Sequence, residues 1–193
     1  QMQQVFISYL ENFLKEISEV HIQVIVTSHS PHVTNEVEFA KIRYSQRTAC
    51  GVVYKDLNDF ANSNPENVEF IRKYMMVSRC DLFFADKAIF VEGASERLLL
   101  PDIINKCEDL KLSAQYITLI EVCGAYAYKF ISLVDFLGIP SLIITDIDSV
   151  DERGHKTSVS NGHTTSNVTI KRFVRKLMGI EEEKEITLDE IKA

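Results

Sequence analysis

KAIFVEGASERLLLPDIINKC (87–107) opens on a short apolar run, turns at Glu92-Gly93 and passes into residues at helical spacing. KAIFV (87–91) reads as a buried strand, and ASERLLLPDIINKC (94–107) as a helix that Pro101 bends. Downstream, YITLIEV (116–122) is a second strand and AYAYKFISLVDFL (125–137) a second helix, stopped by Gly138 at a C′ position. SLIIT (141–145) is a third strand and runs into Asp146-Ile147-Asp148. Strands and helices alternating in this way predict an α/β fold, a Rossmann-like parallel sheet with flanking helices.

All strand carboxyl ends of a parallel sheet lie along one edge, so Glu92, Asp146 and Asp148 are expected to converge there. Any one of these acids alone reads most simply as a helix or turn cap. Three together repel unless a divalent cation neutralises them, and Mg²⁺ takes oxygen ligands and keeps waters, as phosphoryl chemistry requires.

Upstream, Phe6, Leu10, Phe13 and Ile17 form the apolar stripe of a helix, and IQVIV (22–26) reads as a buried strand followed by Thr-Ser-His-Ser-Pro. AKIRYSQR (40–47) and CGVVYKD (50–56) read as two short strands joined by a tight turn. LNDFANSNPEN (57–67) reads as a polar linker, and residues 65–84 as a helix with Val68, Ile71, Met75 and Leu82 among its apolar positions. The polar stretch DERGHKTSVSNGHTTSNVT (151–169) reads as a loop, and KRFVRKLMG (171–179) opens a helix. We place the boundary near Phe84, giving domains 1–83 and 84–193.

Composition excludes several classes. Hydrophobic residues make up 46% and charged residues 25% of the 193, an ordinary globular balance. No run of about 18 apolar residues exists, so no membrane is expected, and the N-terminus has no secretory signal. Cys50, Cys80, Cys107 and Cys123 are scattered without a Cys/His cluster, which excludes a zinc module and fits reduced thiols in a cytoplasm. The net charge of −7 argues against binding DNA by bulk charge alone but leaves room for a carboxylate-built metal site.

VEGASE (91–96) after the first strand, Gly124 after the second and DID (146–148) after the third resemble the Toprim fold of topoisomerases, primases and OLD-family nucleases. The longer phrases FFADKAIFVEGASERLLLP (83–101), CGAYAYKF (123–130) and GIPSLIITDID (138–148) are similar to OLD (overcoming lysogenization defect) family endonucleases. That group includes the nuclease subunit of Gabija-type phage defence. The resemblance covers roughly residues 84–170. It implies that Glu92, Glu96, Asp146 and Asp148 bind Mg²⁺ or Mn²⁺, with Glu92, Asp146 and Asp148 catalytic, and that DNA is the substrate. Glu92 and Glu96, four residues apart, suit a shared helix face. TTSN (164–167) falls where the family has a polar loop of the same type. The family also leads one to expect a catalytic Lys, but KRFVRK reads as a solvated or phosphate-contacting helix face, and neither Lys171 nor Lys176 is assigned that part.

VIVTSHSPHV (24–33) resembles the switch-histidine segment of ABC-type ATPases, which makes His29 the residue that contacts the γ-phosphate of ATP in a complete ATPase. A lone His at a strand end is more often structural; the T-S-H-S-P string and the domain that follows it favour the ATPase reading. No G-x-x-x-x-G-K-[ST] phosphate loop occurs, and Gln1-Met2-Gln3 resemble the segment just after a Walker B strand. The chain is therefore expected to begin inside an ABC-type ATPase domain and to end inside the Toprim domain. The resemblance implies a homo-oligomer, dimer or higher, formed through the ATPase part, and a helicase-like or other defence partner.

The rival readings are a non-catalytic Toprim scaffold and another Toprim enzyme, topoisomerase-like or primase-like. A topoisomerase needs a nucleophilic Tyr in a separate domain, and Tyr126 and Tyr128 read as packing residues. A primase would bring a zinc module.

Overall fold

The computed structural model of the chain describes residues 9, 10, 12–14, 16, 23–78, 80–107, 111–122, 126–179 and 184–192. The chain divides into two compact units: Gln1–Asp86 with Phe136–Ile139, and Lys87–Asp135 with Pro140–Ala193.

In the first unit residues 9, 10, 12–14 and 16 are helical, which places Leu10 and Phe13 on a helix. Phe6 and Ile17 of the same stripe lie outside the described residues. The expected strand at IQVIV does not form. Residues 23–30 carry no regular secondary structure, and Ile25 is 81% exposed. A strand is completed only by a neighbour's hydrogen bonds, and no described strand pairs with this segment. His29 is exposed on it, just ahead of α1 (Pro31–Glu36).

β1 (Arg43–Thr48) and β2 (Gly51–Asp56) form the expected antiparallel hairpin, with Arg43 opposite Asp56 and Thr48 opposite Gly51. Gly51 has a φ of 131°, a conformation that disfavours any side chain. The segment read as a polar linker is instead a helix, α2 (Leu57–Ser63). Asp56 caps it by accepting from the Asn58 N–H at 2.7 Å, and Leu57 and Phe60, three apart, are fully buried. A two-residue apolar stripe among polar neighbours is too short a pattern to stand out in the sequence. α3 (Pro65–Ser78) and a 3₁₀ turn at Cys80–Phe84 replace the single expected helix over 65–84. Phe39 lies 6.3 Å from Phe60 and 6.5 Å from Phe83 between ring centroids, the tilted contacts expected of an aromatic core.

The second unit follows the predicted alternation: β3 (Lys87–Val91), α4 (Ala94–Lys106), β4 (Ile117–Glu121), α5 (Tyr128–Leu137) and β5 (Ser141–Ile144). The three strands are parallel in the order β4-β3-β5, with Val91 opposite Glu121 on one side and Ile144 on the other. β3 is therefore central. Its Ala88, Ile89, Phe90 and Val91 are all buried, which is why KAIFV lacks the alternation of a half-exposed strand. α5 buries Phe130, Leu133, Val134 and Leu137, the i, i+3, i+4, i+7 stripe of an amphipathic helix. Gly138, at φ 73°, ends it as expected.

Beyond β5 the chain makes a polar excursion that returns on itself. β6 (Ser149–Val150) and β7 (Thr164–Thr165) pair antiparallel, and α6 (Val168–Met178) begins directly after. The expected loop over 151–169 is thus tied at both ends, and its helix starts three residues earlier than KRFVRK suggested. A short helix, α7 (Leu188–Lys192), follows; Ile186 and Leu188 are buried and account for its docking. Among the described residues no helix is long and apolar enough to cross a membrane.

Phe90 is 1% exposed and meets Phe130 at 5.4 Å between centroids. Phe90→Ala should cost about 3–5 kcal/mol of folding stability, the usual range for a buried Phe, measured by equilibrium denaturation. A loss below about 1 kcal/mol would mean the sheet is not organised around this strand.

Candidate functional site

The carboxyl ends of β3 and β5 lie side by side because Val91 pairs with Ile144. The next residues, Glu92 and Thr145, therefore meet. Glu92 Oε2 accepts a hydrogen bond from Thr145 Oγ1 at 2.8 Å and another from the Asp146 N–H at 2.8 Å. One carboxylate oxygen is thus held by two donors from the start of the D-x-D segment, which fixes the plane of the Glu92 carboxylate.

The strand ends before both aspartates. β5 stops at Ile144, and Asp148 adopts a left-handed backbone with φ 48°. That conformation costs an L-residue roughly 1–2 kcal/mol, and Asp is among the residues that tolerate it best. It is held from the far side: the Asp148 carbonyl accepts from the Ser166 N–H at 2.9 Å and from Ser166 Oγ at 3.2 Å. The Ile147 carbonyl accepts from Thr165 Oγ1. Strict alternation of side chains, which would have sent Asp146 and Asp148 to one face and Ile147 to the other along a continuing strand, no longer governs the segment.

Asn167 closes the arrangement. Only 2% exposed, it donates through Nδ2 to Thr145 Oγ1 at 2.7 Å and to the Asp146 carbonyl at 3.0 Å. Through Oδ1 it accepts from the N–H groups of Thr169 at 3.0 Å and Ile170 at 3.3 Å, capping α6. Its own N–H donates to Thr165 Oγ1 at 2.9 Å. A buried carboxamide with both ends satisfied is what a low-dielectric site demands.

The four acids singled out in the sequence are not used alike. Glu92 and Asp146 are joined through the Asp146 N–H. Asp148 Oδ1 lies 3.7 Å from Lys156 Nζ, an exposed pair of little energetic weight. Glu96 turns back within its own helix end, where its Oε2 accepts from the Gly93 N–H at 3.1 Å, one half of a capping box. Among the described residues no three His, Cys, Asp or Glu side chains stand close enough together to hold one ion. Gly124, expected at the end of the second strand, lies outside the described residues.

Thr145 was not singled out by the sequence, and Thr165 and Asn167 only as part of TTSN (164–167), read as a polar loop. An Asn immediately before an amphipathic run is an N-cap signal and could have exposed Asn167. Thr145 reads only as the last residue of a strand, and nothing local distinguishes it.

Residues 83–148 match the family model described as "Overcoming lysogenization defect protein-like, TOPRIM domain". This segment is similar to OLD-like Toprim domains. The chain is 29% identical over 197 residues to Endonuclease GajA of Bacillus cereus (strain HuB5-5), an alignment covering 90% of this chain and 28% of the relative. It is 23% identical over 135 residues to Endonuclease GajA of Bacillus cereus (strain VD045), covering 68% of this chain and 22% of that protein. Among solved structures, the C-terminal region of the Burkholderia pseudomallei OLD protein is 32% identical, covers 56% of this chain and 48% of that one, and has a TM-score of 0.37. The chain thus spans about a quarter of the length of the curated relatives it matches.

Beyond the matched segment, the excursion after D-x-D is organised by another aspartate. Asp151 Oδ1 accepts from the N–H groups of Arg153 and His155, both at 2.9 Å. The His155 N–H above all, helped by the Arg153 N–H and the nearby imidazole, holds the Asp151 carboxyl below its ordinary value of 3.8. A depressed folded-state pKa means the stabilisation is present above the unfolded value and is lost as pH falls through the folded one. An NMR titration should show Asp151 protonating below pH 3.8, with the Arg153 and His155 amides shifting in step. Titration at or above that value would show the turn is not held by these bonds.

Proposed function

We propose that this chain carries the catalytic domain of an OLD-family DNA endonuclease that uses Mg²⁺ or Mn²⁺. The observation behind this reading is the meeting of Glu92, at the end of β3, with the D-x-D segment at the end of β5, through the 2.8 Å bond from the Asp146 N–H. The likeness to two proteins named endonucleases supports the nuclease reading, and the alignment over 90% of the chain extends it beyond the Toprim segment.

The donor chemistry suits such a cation. Glu92, Asp146 and Asp148 offer hard oxygen ligands only, which favours Mg²⁺ or Mn²⁺ over softer metals. Mg²⁺ is usually held by one or two carboxylates, with waters and substrate phosphate completing its shell, so a full protein cage is not required. The bonds from Thr145 and Asp146 both fall on Glu92 Oε2, which leaves Oε1 for a cation. Asp146 and Asp148 would be the other ligands, and Glu96 would join them by releasing the Gly93 N–H. When bound, the ion supplies an activated water and charge stabilisation on the leaving oxygen. The protein's own part is to hold these carboxylates at fixed spacing and to orient the phosphodiester.

The same reading takes residues 1–83 as the C-terminal part of an ABC-type ATPase that regulates cleavage and forms the oligomer, with His29 its γ-phosphate sensor, and phage defence as the setting. In the intact protein His29→Ala should lower ATP turnover and leave Mn²⁺ affinity unchanged. Unaltered ATP turnover would remove His29 from that role.

Glu92→Gln and Asp146→Asn should each reduce Mn²⁺-dependent nicking of supercoiled plasmid by roughly 10²-fold, since a displaced ion no longer aligns water and phosphate. DNA binding should hold or tighten, because negative charge near the phosphates is removed. Undiminished nicking in both variants would place the chemistry elsewhere. A wild-type protein that binds neither Mn²⁺ nor Mg²⁺ would instead favour a non-catalytic Toprim scaffold.

A further inference from the structure

Thr145 and Asn167 are buried or half-buried polar residues at the sheet edge that are not among the proposed metal ligands, yet every polar atom of their side chains is engaged. The direction of the bonds between them is set by chemistry. The Asn167 NH₂ can only donate, so Thr145 Oγ1 must accept it at 2.7 Å. The Thr145 hydroxyl then turns its one proton to Glu92 Oε2 at 2.8 Å. The second Asn167 amide proton goes to the Asp146 carbonyl at 3.0 Å, which orients the peptide unit that follows Asp146. The peptide unit preceding it is oriented in turn by its N–H, which donates to the same Glu92 oxygen. Glu92, Thr145, Asp146 and Asn167 therefore form one closed set of hydrogen bonds. It is anchored on the far side by the cap that Asn167 Oδ1 places on α6.

We propose that Thr145 and Asn167 are positioning residues: the relay from the Asn167 amide through the Thr145 hydroxyl fixes the Glu92 carboxylate, and the Asn167 bond to the Asp146 carbonyl fixes the backbone of the D-x-D segment, so that the two acids present a preset pair of oxygens to a divalent cation. The proposal rests on the metal-dependent reading of the site. It assigns the excursion between Asp148 and α6 a purpose: to bring a buried amide back to the sheet edge behind the acids. Outer groups of this kind orient metal-binding carboxylates, and their loss typically costs about 10–100-fold in metal affinity or activity.

The test separates positioning from mere folding. Thr145→Val keeps the shape and removes both bonds; Thr145→Ser keeps the hydroxyl. Asn167→Ser keeps a residue suited to capping α6 but removes the NH₂ that reaches Thr145 and Asp146. Mn²⁺ affinity by calorimetry, nicking kinetics and Tm would be measured on the intact protein, with Glu92→Gln as the reference. Thr145→Val and Asn167→Ser should each weaken Mn²⁺ binding by about tenfold or more and lower kcat, with little change in KM for DNA, while Thr145→Ser stays close to the parent. If Glu92→Gln weakens Mn²⁺ binding but Thr145→Val and Asn167→Ser leave it unchanged, whatever happens to Tm, the positioning proposal is overturned and the metal reading stands. If Thr145→Ser is as impaired as Thr145→Val, the hydroxyl is not what matters and the proposal is likewise overturned. If Glu92→Gln itself leaves Mn²⁺ binding intact, the metal reading fails and takes this proposal with it.

Discussion

Parallel pairing of β3 with β5, in the register that sets Val91 opposite Ile144, is the constraint from which the sheet-edge chemistry follows. Glu92 and Asp146 are 54 residues apart in the chain, and only this pairing makes them neighbours. The register is protected by burial. Because Ala88 through Val91 are buried, a slip of β3 would break ladder bonds on both flanks and repack its side chains, with no exposed face to absorb the change. The apolar core that makes β3 central therefore also fixes the spacing of the acids beyond its end.

What lies past the strand ends is held by polar rather than apolar forces. Thr164, Thr165, Asn167 and Thr169 are all buried, and each finds a partner: Ile186 O for Thr164, Ile147 O for Thr165, two acceptors and two donors for Asn167, and the Tyr128 N–H for Thr169. Leaving any one of them unpaired would cost roughly 1–3 kcal/mol, so the network specifies a single arrangement rather than adding much net stability. The left-handed backbone at Asp148 fits this picture, since Ser166 and Thr165 grip the carbonyls on either side of the turn.

Much of the second unit was legible in the sequence. The three strands, two helices, Gly138 stop and parallel sheet follow from periodicity, helix punctuation and the alternation of strand with helix, all of which are local or nearly local properties; the order β4-β3-β5 was not read from the sequence. Legibility failed where a pattern was short or needed a partner. α2 was missed because Leu57 and Phe60 make too brief a stripe among polar residues. IQVIV was read as a strand because apolar β-branched runs usually are, yet a strand requires a second chain segment to bond with.

The site divides along the same line. Residue types and their order after the strands were enough to expect Glu92 and Asp146 to be neighbours, because residues at the carboxyl ends of adjacent parallel strands are placed by topology; Asp148 does not gather with them into a group of three acids among the described residues. That Glu92 is oriented by Thr145, that Asp148 sits in a left-handed turn, and that Asn167 both caps α6 and holds the Asp146 backbone could not be read from order along the chain. Those facts depend on hydrogen-bond direction and distance between segments 18 to 54 residues apart, including the 22 that separate Thr145 from Asn167. Such bonds exist only once the sheet has brought the segments together and burial has made leaving them unpaired costly.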